Sequence, residues 1–552
     1  MFRMRKFLSA LLAFMFVLLL IAGCANNETP TGTTDTDAPV VNADDGPFTP
    51  YPETLVITIP IAEWGAAFFI EGESHTDNLV TRHYEEVLNI RWEAKWVVDG
   101  AQGEERMNTA IAANDLPDMF GAGPALLGRL IQAGQIQELG PSFDRFASER
   151  MNEIANYQDG RGWLASTHDG KVYGIPISND FANNVAMTWI RQDWLDELGL
   201  DLPETLDDLL HIAREFRDKD PGGLGAGNVV PIANDMNFGQ MGMSFNVIAN
   251  PLMAYREIWI PDGQGGLMYS SIQPEMRDAL LLMQEMYAEG LFDQEFAVKN
   301  EAIVFQDVAA GRVGIFPGVF WSSLWPLFQT LENFDEANWT PVPVSLDKNG
   351  QTTTQNLIFS YDSVVVRAGF EHPEAAVKSM NLWAEMFHGR YADKFNLMLS
   401  TEEYMPIADQ WHSYAMPVFF SHPLKNSYLS ANFIDMWENQ NRDLALTGEA
   451  ANRFDIVSDG GPQGWAHYMF LTGGYPTAMM YNDNFIYNEF VGAPTETMVL
   501  RGPNLTQLEY EAFIAIIMGE NISAFDRFVE DWHAQGGTAI TEEVNAWYAS
   551  VR

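Results

Sequence analysis

Residues 54–59, Thr-Leu-Val-Ile-Thr-Ile, are a β-branched apolar run that predicts a buried strand. Val80, Tyr84, Val87 and Leu88 then recur at helical spacing, and residues 90–98 return to partial alternation. A helix over about 104–113 leads to the apolar pair Met119-Phe120. Pro124 suits the first turn of a helix carrying Leu127, Leu130 and Ile131, which Gly134 can close. Strand, helix, strand, helix, strand predicts a mostly parallel α/β sheet. The pattern resumes with a strand at 173–177, a strand at 185–190 and a helix at 193–198. Thr205 and Asp208 form a capping box ahead of the stripe Leu206, Leu209, Leu210, Ala213 and Phe216. Short buried strands are expected at 313–316 and 363–366, and a helix at 373–387. Near the end, Thr506 with Glu509 is expected to open a helix that Gly519 closes. Ser523 with Asp526 is expected to open the next, burying Phe525, Phe528, Val529 and Trp532.

The first residues follow a different pattern. A basic start (Arg3, Arg5, Lys6) precedes an unbroken apolar run from Leu11 to Ala22. The run falls short of the roughly 20 residues that span a membrane and reads as a secretory signal over residues 1–23. Its ending, Ile21-Ala22-Gly23-Cys24, resembles the lipobox of bacterial lipoproteins. That resemblance implies lipidation at Cys24 and a cell-membrane location on the extracytoplasmic face. Residues 24–52 are rich in Thr, Asp, Asn and Pro and cannot bury enough surface to order themselves. As a flexible tether they would reach roughly 30 Å.

Composition narrows the partners. The 552 residues carry a formal charge of −44, and loss of the signal's three cations takes the remainder near −47. Such a charge opposes nucleic acid and anionic lipid, leaving the lipid anchor as the only membrane link. A single cysteine permits no internal disulfide, so stability rests on the core. Sixteen Trp, 18 Tyr and 35 Phe leave aromatic surface to be explained.

The chain has no phosphate-binding loop, no Gly-x-Ser-x-Gly elbow and no His-Glu-x-x-His, and its ten histidines are scattered. A glycosidase needs only two carboxylates, which 75 acids cannot fail to supply, so that pattern carries no weight.

Five stretches, in order, carry a resemblance to extracellular solute-binding proteins of family 1, the large lipoprotein components of oligosaccharide-type ABC importers. They are Ala112–Met119, Gly170–Pro176, Ile190–Leu200 with Pro203–Asp208, His372–Ala376, and Ile517–Glu520 through Val544–Tyr548. The resemblance implies an α/β, two-lobe, type II periplasmic-binding-protein-like fold with a ligand cleft between lobes. It implies three hinge crossings, expected near 176–180, near 356–361 and within 450–465. The expected division is 53–178 and 358–455 for the first lobe, with 179–357 and 456–552 for the second. Relatives often carry a calcium loop after the capped helix. Here residues 220–228 place Gly222 and Leu224 where acids would be needed, so the turn is expected without the ion, and no cofactor is expected.

A sugar offers apolar faces to aromatic platforms and hydroxyls to Asp and Asn. Candidates on loops near hinges and strand ends are Trp64, Asp180, Asn234, Asp235, Trp321, Tyr361, Trp465 and Tyr475, with Trp321 and Trp465 foremost. Asp118 is expected to be structural, and Trp194, Trp532 and Trp547 to be core. The expected function is non-enzymatic: a monomer captures an oligosaccharide by lobe closure and hands it to ABC permease subunits. The rivals are a peptide-like solute on the same fold and a surface glycosidase.

Overall fold

The computed structural model describes residues 45–551 apart from 64–68, 178–179, 226, 240–242, 357–361, 393–394, 396–417, 419, 421 and 482–483. Cys24, Trp64 and Tyr361 therefore lie outside the described residues.

The first strand, β1 (Leu55–Glu63), pairs in parallel with β2 (Ile90–Asp99) through the helix Leu79–Leu88. Asn78 and Thr81 cap that helix reciprocally. Strand β3 (Met119–Ala122) lies beside β1, where Thr58 N–H and Oγ1 both donate to Asp118 Oδ2, at 2.8 and 2.6 Å. Arg367 Nε donates to the other carboxylate oxygen at 2.7 Å. Asp118 is a structural strut, as its sequence setting suggested.

Strand β4 (Ile175–Pro176) and strand β9 (Ser363–Val366) complete a three-stranded sheet, with β9 antiparallel to both β3 and β4. A second sheet has the order β8 (Trp339–Pro343), β5 (Met187–Arg191), β7 (Val313–Gly318), β6 (Val230–Ile232). Only β6 and β7 run parallel there. The expectation of mostly parallel pairing thus holds for β1/β2 and β6/β7 and fails for the other pairs of these two sheets. The physical reason is connectivity: a helical crossover forces parallel pairing, whereas β9 arrives from the other sheet's part of the chain and is free of that constraint.

Several sets of apolar side chains form around these sheets. One joins Ile57, Trp92, Phe143, Ile175, Val364, Trp383 and Phe420. Two others gather Ile190, Trp194, Phe216 and Phe513, and Trp189, Phe316, Phe433, Val457 and Leu471. Helices Lys425–Glu438 and Gly448–Asp459 therefore pack with the second sheet. Trp194 and Trp532 are buried, and Trp547 is half-buried against Phe490.

Two C-terminal caps need correction. The helix runs Glu496–Ile517 and is capped by Thr495, whose Oγ1 accepts from Met498 N–H, so Thr506 and Glu509 lie inside it. Pro503 sits within the helix; its missing N–H leaves one bond unmade beside the exposed Val499 and Leu500, where water can satisfy the orphan carbonyl. Glu509 is buried and accepts from Tyr269 and Ser271. Ser523 begins the next helix instead of capping it; Asn521 Oδ1 accepts its N–H at 2.9 Å. The capping box of Thr205 and Asp208 forms as expected.

Candidate functional site

Several passages of chain converge on Asp180. After β4 pairs with β9, Ile177 N–H donates to Asp362 O at 2.7 Å. Asp180 Oδ1 then accepts from Ala182 N–H at 2.9 Å, capping the turn Phe181–Asn184. Val185 bridges to Asn356, and Asn356 pairs with Tyr487 in a short parallel ladder, Thr354–Asn356 with Phe485–Tyr487. Asp180 Oδ2 meets Asn426 N–H at 3.4 Å, at the start of the helix Lys425–Glu438.

Asp180 is only 4% exposed. Burial pushes its carboxyl up to about 6, against the pull of the Ala182 and Asn426 hydrogen bonds and of Lys425. Lys425 is occupied elsewhere: its Nζ lies 3.0 Å from Glu449 Oε2. Arg453 also faces Glu449, at 3.5 Å, and donates to His467 Nδ1 at 2.7 Å. Although burial works the other way, Lys425 and Arg453 hold Glu449 down to about 2. Burial and Arg453 push His467 down to about 3, leaving it neutral.

Tyr475 and Tyr157 lie near Asp180, and Tyr428 and Tyr487 lie near Tyr157. Tyr475 is buried, its ring edge-on to Phe320 at 5.1 Å. Its hydroxyl lies near Asp180 and the Ser427 backbone but meets no partner in hydrogen-bonding geometry. Burial, then Asp180 and Tyr157, push that hydroxyl far above the usual range. Tyr157 is pushed up to about 12 by burial, then by Tyr487, Asp180 and Tyr428. Tyr428 is 57% exposed and offers its ring to solvent. Arg161 lies over the Tyr487 ring at 4.5 Å, and both its terminal nitrogens donate to Glu489 at 3.1 Å.

The position of Tyr475 depends on the wide π turn Phe470–Gly474, which links the helices Gly461–Met469 and Tyr475–Met479. A side chain on Gly474 would overlap the Phe320 carbonyl oxygen, so only glycine fits there.

Strand direction sorts the other predicted residues. Gly318 pairs with Met187, so the C-terminal end of β7 is the end near Asp180. Trp321 follows directly and is half-buried between two core clusters. Trp465 is not brought there. Its Nε1 donates to Asn338 Oδ1 at 2.9 Å, next to Trp339, which pairs with Arg191 at the opposite end of β5. Four residue steps along β5 separate the two ends by about 13 Å.

Asn234 and Asp235 follow β6 and line a small recess with Glu301, Phe305 and Phe316. It opens at the carboxyl ends of the parallel pair β6/β7, where α/β sheets hold ligands. Asp235 Oδ1 is taken by Asn237 and Gly239 N–H at 2.8 and 2.9 Å. Phe305 meets the half-exposed Trp325 edge-on at 5.9 Å. In the turn after the capped helix, Asp220 Oδ1 accepts from Leu224 N–H and Oδ2 from Gly225 N–H, so its own backbone holds the loop.

Sequence reasoning missed Tyr157, Tyr428 and Tyr487. Asn156-Tyr157 and Asn426-Ser427-Tyr428 do carry the signal used elsewhere, an aromatic beside an amide in polar sequence. Both lie far from the expected crossings.

A family model, bacterial extracellular solute-binding protein, matches residues 74–385. The chain belongs to this family. Among relatives of this solute-binding protein is Lipoprotein LipO of Bacillus subtilis, 23% identical over 99% of each chain. The polygalacturonan/rhamnogalacturonan-binding protein YtcQ of B. subtilis is 26% identical, over 43% of this chain and 46% of its own. A solved HMO-binding, ABC-transporter-associated solute-binding protein from Bifidobacterium longum infantis superposes with TM-score 0.61 at 14% identity, covering 90% of this chain and 98% of that one. The fold is therefore the α/β type II solute-binding fold, and the YtcQ and Bifidobacterium proteins are named for the glycans they bind. Among the described residues no helix is long and apolar enough to cross a membrane.

Proposed function

We propose that this solute-binding protein captures an oligosaccharide at the convergence around Asp180 and delivers it to the permease subunits of an ABC importer. The observation that carries the reading is the pair Tyr157 and Tyr475 at one buried carboxyl, with Tyr428 and Tyr487 beside Tyr157. Rings stack on sugar faces, and a carboxylate accepts from paired hydroxyls. The HMO-binding and polygalacturonan-binding relatives support a carbohydrate over a peptide.

In this reading the lobes are 53–178 with 358 to about 420, and 179–357 with about 424–552. The third crossing then falls near 420–424 instead of 450–465, because Phe420 packs with Trp383 while Phe433 and Val457 pack with Trp189. Ligand touching both lobes would favour their closed arrangement. Lipidation at Cys24 would keep the protein at the outer face of the cytoplasmic membrane, a reading supported by the lipoprotein relative.

Calorimetric titration with a length series of oligosaccharides tests the capture. Binding with unaltered sugar recovered is expected, and cleaved sugar or binding of peptides alone would refute it. Cys24→Ser should release a folded protein to the medium; continued membrane retention would refute the anchor.

A further inference from the structure

We infer that this crevice selects uncharged glycans and turns away those that carry uronate groups. The inference rests on the proposed sugar capture and adds the charge class of the ligand.

A uronate is held by a cation free to meet its carboxylate, most often as a bidentate guanidinium pair. Three cations among the described residues around Asp180 are paired with acids, and a fourth, Arg150 beside His422, faces Glu385 at 3.6 Å. Lys425 faces Glu449 at 3.0 Å, Arg453 faces Glu449 at 3.5 Å, and Arg161 gives both terminal nitrogens to Glu489. His467 accepts from Arg453 and is held neutral. His422, the imidazole near Tyr428, is pushed toward its neutral form by burial.

What the site offers instead suits a neutral hydroxylated ligand. Tyr475 is 1% exposed and, among the described residues, its hydroxyl lacks a partner in hydrogen-bonding geometry, and a buried polar group left so is costly to keep. A sugar hydroxyl can donate to it or accept from it. Asp180 can accept from a sugar hydroxyl but repels a second carboxylate. Asp235 and Glu301 add two more carboxyls at the neighbouring recess. The field of a chain at −44 opposes anion approach as well. The polygalacturonan-binding relative, whose named ligand is a polyuronate, makes this a point of divergence within the family.

The experiment titrates the full lipoprotein in neutral detergent with two length-matched ladders. One is uncharged (gluco-, galacto- and fructo-oligosaccharides), the other is oligogalacturonate and oligomannuronate. The best uncharged ligand is expected to bind at least about tenfold more tightly than any uronate of its length, with the gap narrowing as salt rises. Glu449→Gln, which releases Lys425, should shrink the gap at least about threefold while a melting scan shows the chain folded. A uronate that binds as tightly as its uncharged counterpart overturns the inference and leaves sugar capture standing. A folded wild-type chain that binds neither ladder overturns the sugar reading itself.

Discussion

Glu449 and Glu509 are two carboxylates withdrawn from solvent with opposite outcomes. Glu449, half-buried between Lys425 and Arg453, is held down to about 2. Glu509 is 2% exposed and meets two hydroxyls, Tyr269 Oη at 2.9 Å and Ser271 Oγ at 3.0 Å. Burial, reinforced by Glu257, pushes it up to about 7. Hydroxyl donors do not offset lost hydration as two cations do. The consequence for stability has opposite signs. Glu449, with its folded value depressed, stabilises the protein above its unfolded value of 4.5, and that contribution is lost as pH falls toward 2. Glu509, with its folded value raised, contributes fully below 4.5, and the contribution is lost as pH rises through 7.

The strongest way to break the comparison is Glu449→Ala. It strands two cations in a partly buried setting and should cost about 3 kcal/mol at pH 7, read by urea unfolding. An unchanged midpoint would mean that water already satisfies both cations. Glu509→Gln works in the other direction. It should stabilise the protein by about 2 kcal/mol at pH 8, have little effect at pH 4, and flatten the slope between pH 4.5 and 7. A loss of stability at pH 8 would show that the charged form is the one Tyr269 and Ser271 favour. The smallest effect sharpens the comparison at Asp180, which has Lys425 nearby but facing another acid. In Glu449→Gln the Asp180 carboxyl should titrate lower by about one unit, seen in the carbon NMR shift of its carboxyl group. No movement would mean that Lys425 does not turn toward it.

What could be read from the chain divides along local and non-local lines. The box at Thr205 and Asp208, the helix opened by Pro124 and the first strands are encoded within a few residues, and they form where expected. The start at Thr506 failed because Thr506 and Glu509 match a cap spacing in sequence, whereas Thr495 already caps a helix that continues through Pro503. Asp180 and Trp321 follow strand ends that the chain marks locally, whereas Tyr475 lies in a helical path after a π turn. Trp465 sits on a helix directed to the other end of the sheet. Tyr157 and Tyr428 depend on which core their helices join. An amphipathic stripe says that a face is buried, not against what.

The π turn before Tyr475 carries a further meaning. Such a turn amounts to one residue inserted into an otherwise α-helical path, and each added residue rotates all that follows by about 100°. Phe470–Gly474 thus works as an angular offset between two helices: Trp465 lies before it and Tyr475 after it. Deleting one residue from this turn would leave every amino acid of the crevice in the chain yet swing the tyrosine away from Asp180. At this place the information resides in a count of residues, and an alignment that scores only identities would pass over it.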